Sequence, residues 1–463
     1  MKEPGAILLV ACYELGHQPL AVAWPAAFLE RAGYAPAVLD LSVEPFDAEK
    51  VARARLVAIS VPMHTALRLG ASVAARVRAA NPRCHIAFYG LYATLNANDL
   101  LAHAADSVLS GEVEQALVAL ARNLDQRAEG RGKAAASTAA PSLPRPVLEK
   151  LDFPVPSRAQ LPALTRYAHV EKHGRLELAA YVEASRGCKH FCRHCPIPPV
   201  YGGRFFVVPE AVVLADVRQQ VEAGATHVTF GDPDFLNGPG HALRMARALH
   251  SAFPDLTFDF TAKVEHLLLQ RDRLPELARL GAIFCVTAAE SLNDTVLAHL
   301  DKGHTRADIV EALRAVRAAG IAPRPTWVPF TPWSTLDDYR DLLDFVECHE
   351  LVDAIDPVQY SIRLLVPPGS LLREHGALTP HLGALTEGAF HYRWTHPDPR
   401  MDRLAGAVAA LVAEAADRRE DAAATFGRVR RMADELAGAP ARPAPVLPPG
   451  RERPPRLTEP WFC

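Results

Sequence analysis

Residues 188–195 read Cys188-Lys-His-Phe-Cys192-Arg-His-Cys195, with three residues between the first two cysteines and two between the last two. Three thiolates this close can wrap one corner of a cubane and ligate three irons of a [4Fe–4S] cluster. No fourth cysteine follows nearby, so the fourth iron would be left open to chelate a small ligand. The competing readings are a zinc knuckle and three buried thiols. Zinc asks for a fourth Cys or His at short spacing, and His190 or His194 could supply one. The context favours the cluster. Residues 178–185 are an apolar strand, and Arg186-Gly187 breaks it directly before Cys188.

Strand and helix signals alternate on both sides of this loop. Residues 147–375 carry predicted strands at 178–185, 227–231, 257–262, 283–288, 325–329 and 358–365. Helical stretches lie between them, at 209–223, 241–252, 272–280, 306–319 and 336–348. Six β/α units make a partial (β/α)6 TIM-type barrel, whose site lies at the C-terminal ends of its strands. Residues 1–122 read as a Rossmann-like, doubly wound α/β domain, with strands at 6–11, 35–40, 56–61 and 85–90 and a ligand edge at the strand C-termini. Residues 123–146, rich in Ala, Gly, Ser, Arg and Pro, read as a flexible linker. Residues 376–438 read as a mainly helical extension, and 439–463 as a Pro-rich extended tail ending in Cys463.

The loop resembles that of the radical S-adenosylmethionine (SAM) enzymes, whose signature is Cys-x3-Cys-x2-Cys with an aromatic ring before the third cysteine. His194 takes that ring position. Residues 1–122 resemble the cobalamin-binding domain that precedes many radical SAM barrels, through Ser60-Val61, the Gly90 turn and Gly111-Glu112. Two departures stand out. The Asp-x-His-x-x-Gly motif that supplies a lower cobalt ligand is absent, with Leu15 where the Asp would be and His17 the nearest histidine. Gly90-Leu91 replaces the usual Gly-Gly, and a leucine there crowds a corrin. The final Leu457-Thr-Glu-Pro-Trp-Phe-Cys463 resembles the end of the CUAEP/CCAEP-tail radical SAM proteins, broken off where a selenocysteine codon read as a stop would fall.

These resemblances imply a set of roles. Cys188, Cys192 and Cys195 would be the metal ligands. Gly231-Asp-Pro-Asp-Phe235 stands where the superfamily has a Gly-Gly-Glu-like segment, so Asp232, with Asp234 second, would bind the amino group of SAM. Ala289-Glu-Ser291 with Lys302-Gly-His-Thr305 resembles its Glu-Ser…Lys-x-x-Thr pattern. Glu290 and Ser291 would then join the cofactor-binding residues, with His194. On residue type alone Ser291 is the more natural helix cap, and Lys302 a structural or solvated lysine. Cys463 is the candidate catalytic thiol of the tail. The implied cofactors are the [4Fe–4S] cluster, SAM and cobalamin. The implied partners are a small-molecule substrate and an electron donor such as flavodoxin or ferredoxin.

Composition narrows the alternatives. The 463 residues are 49% hydrophobic and 22% charged, with a net charge of −3 and no basic block, which argues against a nucleic-acid partner. No apolar run approaches the ~20 residues of a membrane span, and the N-terminus does not read as a signal peptide. Three of the eight cysteines are clustered and the rest scattered, which is not a disulfide framework and points to a reducing cytoplasm. With cobalamin, the expected reaction is methylation of an unactivated carbon or phosphorus centre. Without it, the alternatives are radical transfer of a SAM-derived group to a soft acceptor such as a metalloid, or a non-catalytic Fe–S or zinc regulator.

Overall fold

The computed structural model describes residues 1–128, 145–386, 388–440, 442, 443, 445, 447, 448 and 450–459. Short runs of apolar residues form a parallel sheet at the N-terminus: β1 (Ile7–Ala11), β2 (Ala37–Asp40), β3 (Leu56–Ser60), β4 (His85–Tyr89) and β5 (Ser107–Leu109), in the order β2-β1-β3-β4-β5. Alternate side chains explain the unbroken hydrophobicity, because both faces are covered. Ile7 and Leu9 pack under the helices Leu20–Arg31 and Val113–Ala128, while Leu8 and Val10 pack under His64–Ala80. Strand order reverses between β1 and β3, where open α/β sheets form their ligand crevice.

The second sheet begins with a hairpin, β6 (His169–Lys172) and β7 (Arg175–Val182). A short ribbon of β8 (Ser185–Gly187) and β9 (Phe205–Val207) then brackets the three cysteines. The parallel strands β10 (His227–Phe230), β11 (Thr257–Ala262), β12 (Ala282–Glu290) and β13 (Ala322–Trp327) follow in sequence beside β7. Capping boxes at Thr305–Asp308 and Thr335–Asp338 start two of the covering helices.

The position expected for a sixth strand at 358–365 holds a 3-10 turn, Pro357–Tyr360, and one isolated bridge between Phe330 and Arg363. Its cause is local. The Gln359 side chain accepts the Trp327 N–H at 3.0 Å, so a side-chain amide takes the place of a ladder carbonyl.

The extension contains a hairpin, β14 (Leu382–Thr386) and β15 (His391–Trp394), before two helices, Pro399–Asp417 and Ala422–Leu436. Buried Arg430 docks the second helix through Asp344, Glu347 and the Leu343 carbonyl. The tail is not a free arm over its described part. β16 (Arg456–Leu457) pairs antiparallel with β6, placing Leu457 in an apolar cluster with Val170 and Phe284. That covers an otherwise open sheet edge. Among the described residues no helix is long and apolar enough to cross a membrane.

The segment after the linker stitches the two sheets together. Tyr167 donates to Asp40 at 2.8 Å, and Arg158 donates to Gln18 at 2.7 Å while pairing with Asp216 at 2.7 Å. Gly111, at φ +80°, pairs with Val147, and a Cβ there would lie 2.2 Å from the Val147 carbonyl oxygen. Gly111→Ala is therefore expected to destabilise the protein by roughly 2–4 kcal/mol, the sum of left-handed strain and a backbone clash. Thermal unfolding followed by circular dichroism checks it; an unchanged midpoint would contradict the close approach.

Candidate cluster and cofactor site

The cysteine loop leaves the barrel through a passage that admits only glycine. Gly187 has φ +76°, and a Cβ would lie 2.3 Å from the Arg204 carbonyl oxygen and 2.7 Å from the Tyr201 ring. Cys188 and Cys192 beyond it are buried and Cys195 is half-buried, all three as free thiols. Burial raises the Cys188 thiol and pushes Cys195 up to about 12, and each is raised further by its neighbouring thiols. Apolar surroundings thus hold protons on sulfurs that a metal would displace. Around the loop, His194 Nδ1, His304 Nδ1 and Asn237 Nδ2 are buried without hydrogen-bond partners. Three converging thiols with orphaned polar atoms beside them fit a cluster bound through three irons.

Of the two histidines considered for zinc, His190 has both ring nitrogens engaged, and His194 has Nε2 engaged and Nδ1 open. His194 Nε2 lies 3.2 Å from Glu290 Oε1. Lys263 Nζ lies 3.0 Å from His190 Nδ1, His190 Nε2 lies 3.3 Å from His266 Nε2, and His266 Nδ1 lies 2.7 Å from Asp234 Oδ2. One tautomer assignment satisfies the whole chain: Lys263 donates to His190, His190 to His266 and His266 to Asp234. The ligating atoms of His190, Asp234 and His266 lie within 4.8 Å of one another, but this run of donors already accounts for the grouping.

The acids expected to bind SAM are placed on the loop side of the barrel mouth. Asp232 accepts the Ala184 N–H at 2.9 Å and the Ser185 hydroxyl, and burial pushes its carboxyl up to about 7. Asp234 also caps a 3-10 turn by accepting the Leu236 N–H at 3.0 Å. Glu290 ends β12 at φ +65° and receives Lys302 at 3.1 Å. Burial opposes its ionisation, but Lys302 and His194 outweigh it and hold the carboxyl well below the usual range. Lys302 is thus a buried partner rather than a solvated lysine. Ser291 Oγ accepts the Asn293 N–H at 3.1 Å, and Asn293, not Ser291, caps the helix Asp294–Leu300. Ser370 donates to the Arg193 carbonyl at 3.2 Å, so the turn at Ser370 braces the cysteine loop. Cys463 lies outside the described residues.

Sequence reasoning missed a group of glutamates between the two sheets. Arg186, two residues before Cys188, reaches Glu183 at 3.0 Å, Glu112 at 3.0 Å and Glu114 at 2.6 Å. Tyr201 donates to Glu112 at 2.8 Å. Glu14 accepts the Leu20 and Ala21 N–H groups at a helix N-terminus, each at 3.2 Å. Glu14, Glu114, Glu183, Arg186 and Tyr201 border a cavity of about 240 Å³ that also touches Tyr89, Tyr181, Gly187 and Gly231. A Cβ on Gly231 would lie 2.4 Å from the Tyr181 ring, so the end of β10 presents bare backbone beside the cavity. The available signal was an acid at or just past a strand end, in Glu14 after β1 and Glu183 after β7.

Two family models match this chain: the radical SAM superfamily over residues 182–346 and the B12 binding domain over residues 6–121. The chain therefore combines a B12-binding-type domain with a radical SAM domain. Among curated relatives, the hopanoid C-3 methylase of Methylococcus capsulatus is 26% identical over 66% of this chain and 59% of its own. The tRNA-2-methylthio-N(6)-dimethylallyladenosine synthase of Erythrobacter litoralis is 24% identical over 46% of this chain and 50% of its own. The chain spans about half the length of the curated relatives it matches. In fold it is similar to the cobalamin-dependent SAM radical enzyme OxsB, with a TM-score of 0.67, 15% identity, and coverage of 94% of this chain and 70% of OxsB. It is also similar to the radical SAM methyltransferase TsrM of Kitasatospora setae, with a TM-score of 0.64, 15% identity, and coverage of 93% and 99%.

A corrin does not fit the cavity as it stands. Its volume of about 240 Å³ is below the ~300 Å³ where pockets for drug-sized ligands begin, and a corrin with its side chains is larger than such ligands. Leu15, Met63 and Leu91 occupy its walls. His17 is stacked on Tyr181, with ring centroids 4.2 Å apart, and burial lowers it to about 3.

Glu14 and His17 predict the shape of the stability profile. Burial first, then Glu183 and Asp40, raise Glu14 to about 8; Tyr89, Tyr181 and Tyr167 also face it. The folded state then keeps a proton that the unfolded chain loses above about 4.5, so stability falls as pH rises from 4.5 to 8. His17, neutral when folded, costs stability as pH falls from 6.5 to 3. The two slopes oppose each other between pH 4.5 and 6.5. Asp232 adds to the alkaline arm. Glu14→Gln is expected to flatten that arm by on the order of 4 kcal/mol, read from unfolding midpoints across pH; an unchanged alkaline slope would contradict it.

Proposed function

We propose that this chain is a radical SAM enzyme that modifies a small molecule in the chamber between its two halves. The observation that supports it most directly is the grouping of Cys188, Cys192 and Cys195 in one loop beside the strand ends, where the first two act on the third, while His190 has both ring nitrogens engaged. When bound, the [4Fe–4S] cluster supplies the electron that cleaves a carbon–sulfur bond of SAM and generates a carbon radical. The protein's part is to position groups and keep water out. The three thiolates would hold three irons. Asp232 sets the loop's entry by fixing the Ala184 and Ser185 backbone segment. Glu290, held ionised by Lys302, orients His194 between Cys192 and Cys195. Asp234, through His266 and His190, braces the other side of Cys192. Gly231 leaves room for the amino end of SAM beside the end of β10.

Methylation is the reaction class that the B12-type domain and the relatives favour, and it would require the chamber to open around a corrin. An external one-electron donor such as flavodoxin or ferredoxin, and a cytoplasmic setting, follow from the same reading. The kinship with the CUAEP/CCAEP-tail proteins belongs to it too. What supports that kinship is the docking of residues 456–459, which brings Glu459 to Tyr13 at 2.7 Å, next to the chamber wall at Glu14 and Leu15.

Anaerobic reconstitution tests the proposal. The wild-type protein is expected to take up one cluster and cleave SAM on reduction, and Cys192→Ala to lose both. Stoichiometric zinc in the wild type, or SAM cleavage retained in the variant, overturns it.

A further inference from the structure

The chamber between the two sheets is built with more acids than bases. Glu14, Glu114 and Glu183 line it, and Arg186 is the one cation among its described lining residues. Arg186 is shared further with Glu112 behind the wall. Glu114 is 2% exposed, and its Oε2 lacks a hydrogen-bond partner. A buried carboxylate oxygen left unpaired carries a desolvation cost that only a donor can recover. Burial raises Glu14, which keeps its proton in the empty chamber, and it raises Glu183, so these two acids are short of positive charge. Among the aliphatic residues of the remaining wall stand the aromatic rings of Trp24, Tyr89 and Tyr181. Carboxylates and aromatic rings around a small space are the complement of an organic ammonium ion.

We infer that this chamber binds a small organic cation, an amine-bearing molecule whose ammonium group is held by Glu114, Glu14 and Glu183. Its amine would complete the unpaired side of Glu114, and its carbon body would lie on the tyrosines. The chamber runs from Glu14 to Gly187 and Gly231, so the ligand's far end would face the cysteine loop. Taking this ligand as the substrate rests on the radical SAM reading; the binding itself does not.

The test is calorimetry on the reconstituted protein saturated with SAM, with phenethylamine as probe and phenethyl alcohol and phenylpropionate as its neutral and anionic counterparts. The amine is expected to bind at least tenfold more tightly than the alcohol, and the anion to give no heat. Glu114→Gln is expected to weaken amine binding at least tenfold, with cluster absorbance as the check on folding. If that variant does not fold, Glu183→Gln carries the same expectation. Equal binding of amine and alcohol, no heat with the amine, or wild-type affinity in the folded variant each overturns the inference. Cluster content and SAM cleavage are assayed separately, so a failure here is distinct from a failure of the radical SAM reading.

Discussion

The charge cluster on Arg186 is the constraint on which the site depends. A guanidinium held by three carboxylates in a part-buried junction is costly to form and costlier to break, because removing one partner strands the others. Two of those carboxylates, Glu112 and Glu114, start the last helical unit of the N-terminal domain, and the third, Glu183, follows β7. Trp24 and Phe153, which meet edge to face with ring centres 5.4 and 5.0 Å from the guanidinium, add cation–π contact. Arg186 is followed by Gly187 and Cys188. Any movement of the N-terminal domain on the barrel is therefore felt one residue from a passage that only glycine fits, and two residues from the first thiol.

Beyond that passage the loop is held by a repeated pattern. His190 and His194 flank Cys192, and each ends on an acid at the barrel mouth: Asp234 through His266, and Glu290 directly. Each is also next to a buried lysine, Lys263 or Lys302. Networks of this kind are strong only when every member is satisfied. The positive φ at Glu290 fits that reading, since a strained backbone persists where its surroundings over-determine it. The lysines also set positive charge near thiolates. Lys302 is raised by Cys192 and Cys195 as well as by Glu290, against the cost of its burial.

What could be read from the chain follows the range of the interaction. The cysteine spacing is local chemistry and was legible at once. The parallel strands were legible because burial on both faces leaves unbroken apolar runs. The sixth strand was not, because a single side chain, Gln359, replaces the ladder at Trp327. The direction of Asp232 was not legible either. Its position at the end of β10 reads as ligand-facing, whereas Ala184 and Ser185, some fifty positions back in the chain, claim both of its oxygens. The docked tail escaped composition for the same reason: its proline content reads as an extended arm, but one buried leucine and an unpaired sheet edge fix it in place.

The N-terminal domain shows how far a fold and a site can part. Its sheet order and its family match are those of a B12-binding domain, yet its C-terminal edge is closed by its own and neighbouring residues. Val147 pairs where Gly111 leaves space, Leu91 follows the Gly90 turn, and His17 is spent on stacking against Tyr181. What remains open is small and lined by glutamates and tyrosines among aliphatic side chains. An acidic chamber with an unpaired buried oxygen is a poor way to stabilise a domain interface, since apolar residues of the same volume would do it at lower cost. The glutamates make physical sense as one half of a recognition pair whose other half is a cation.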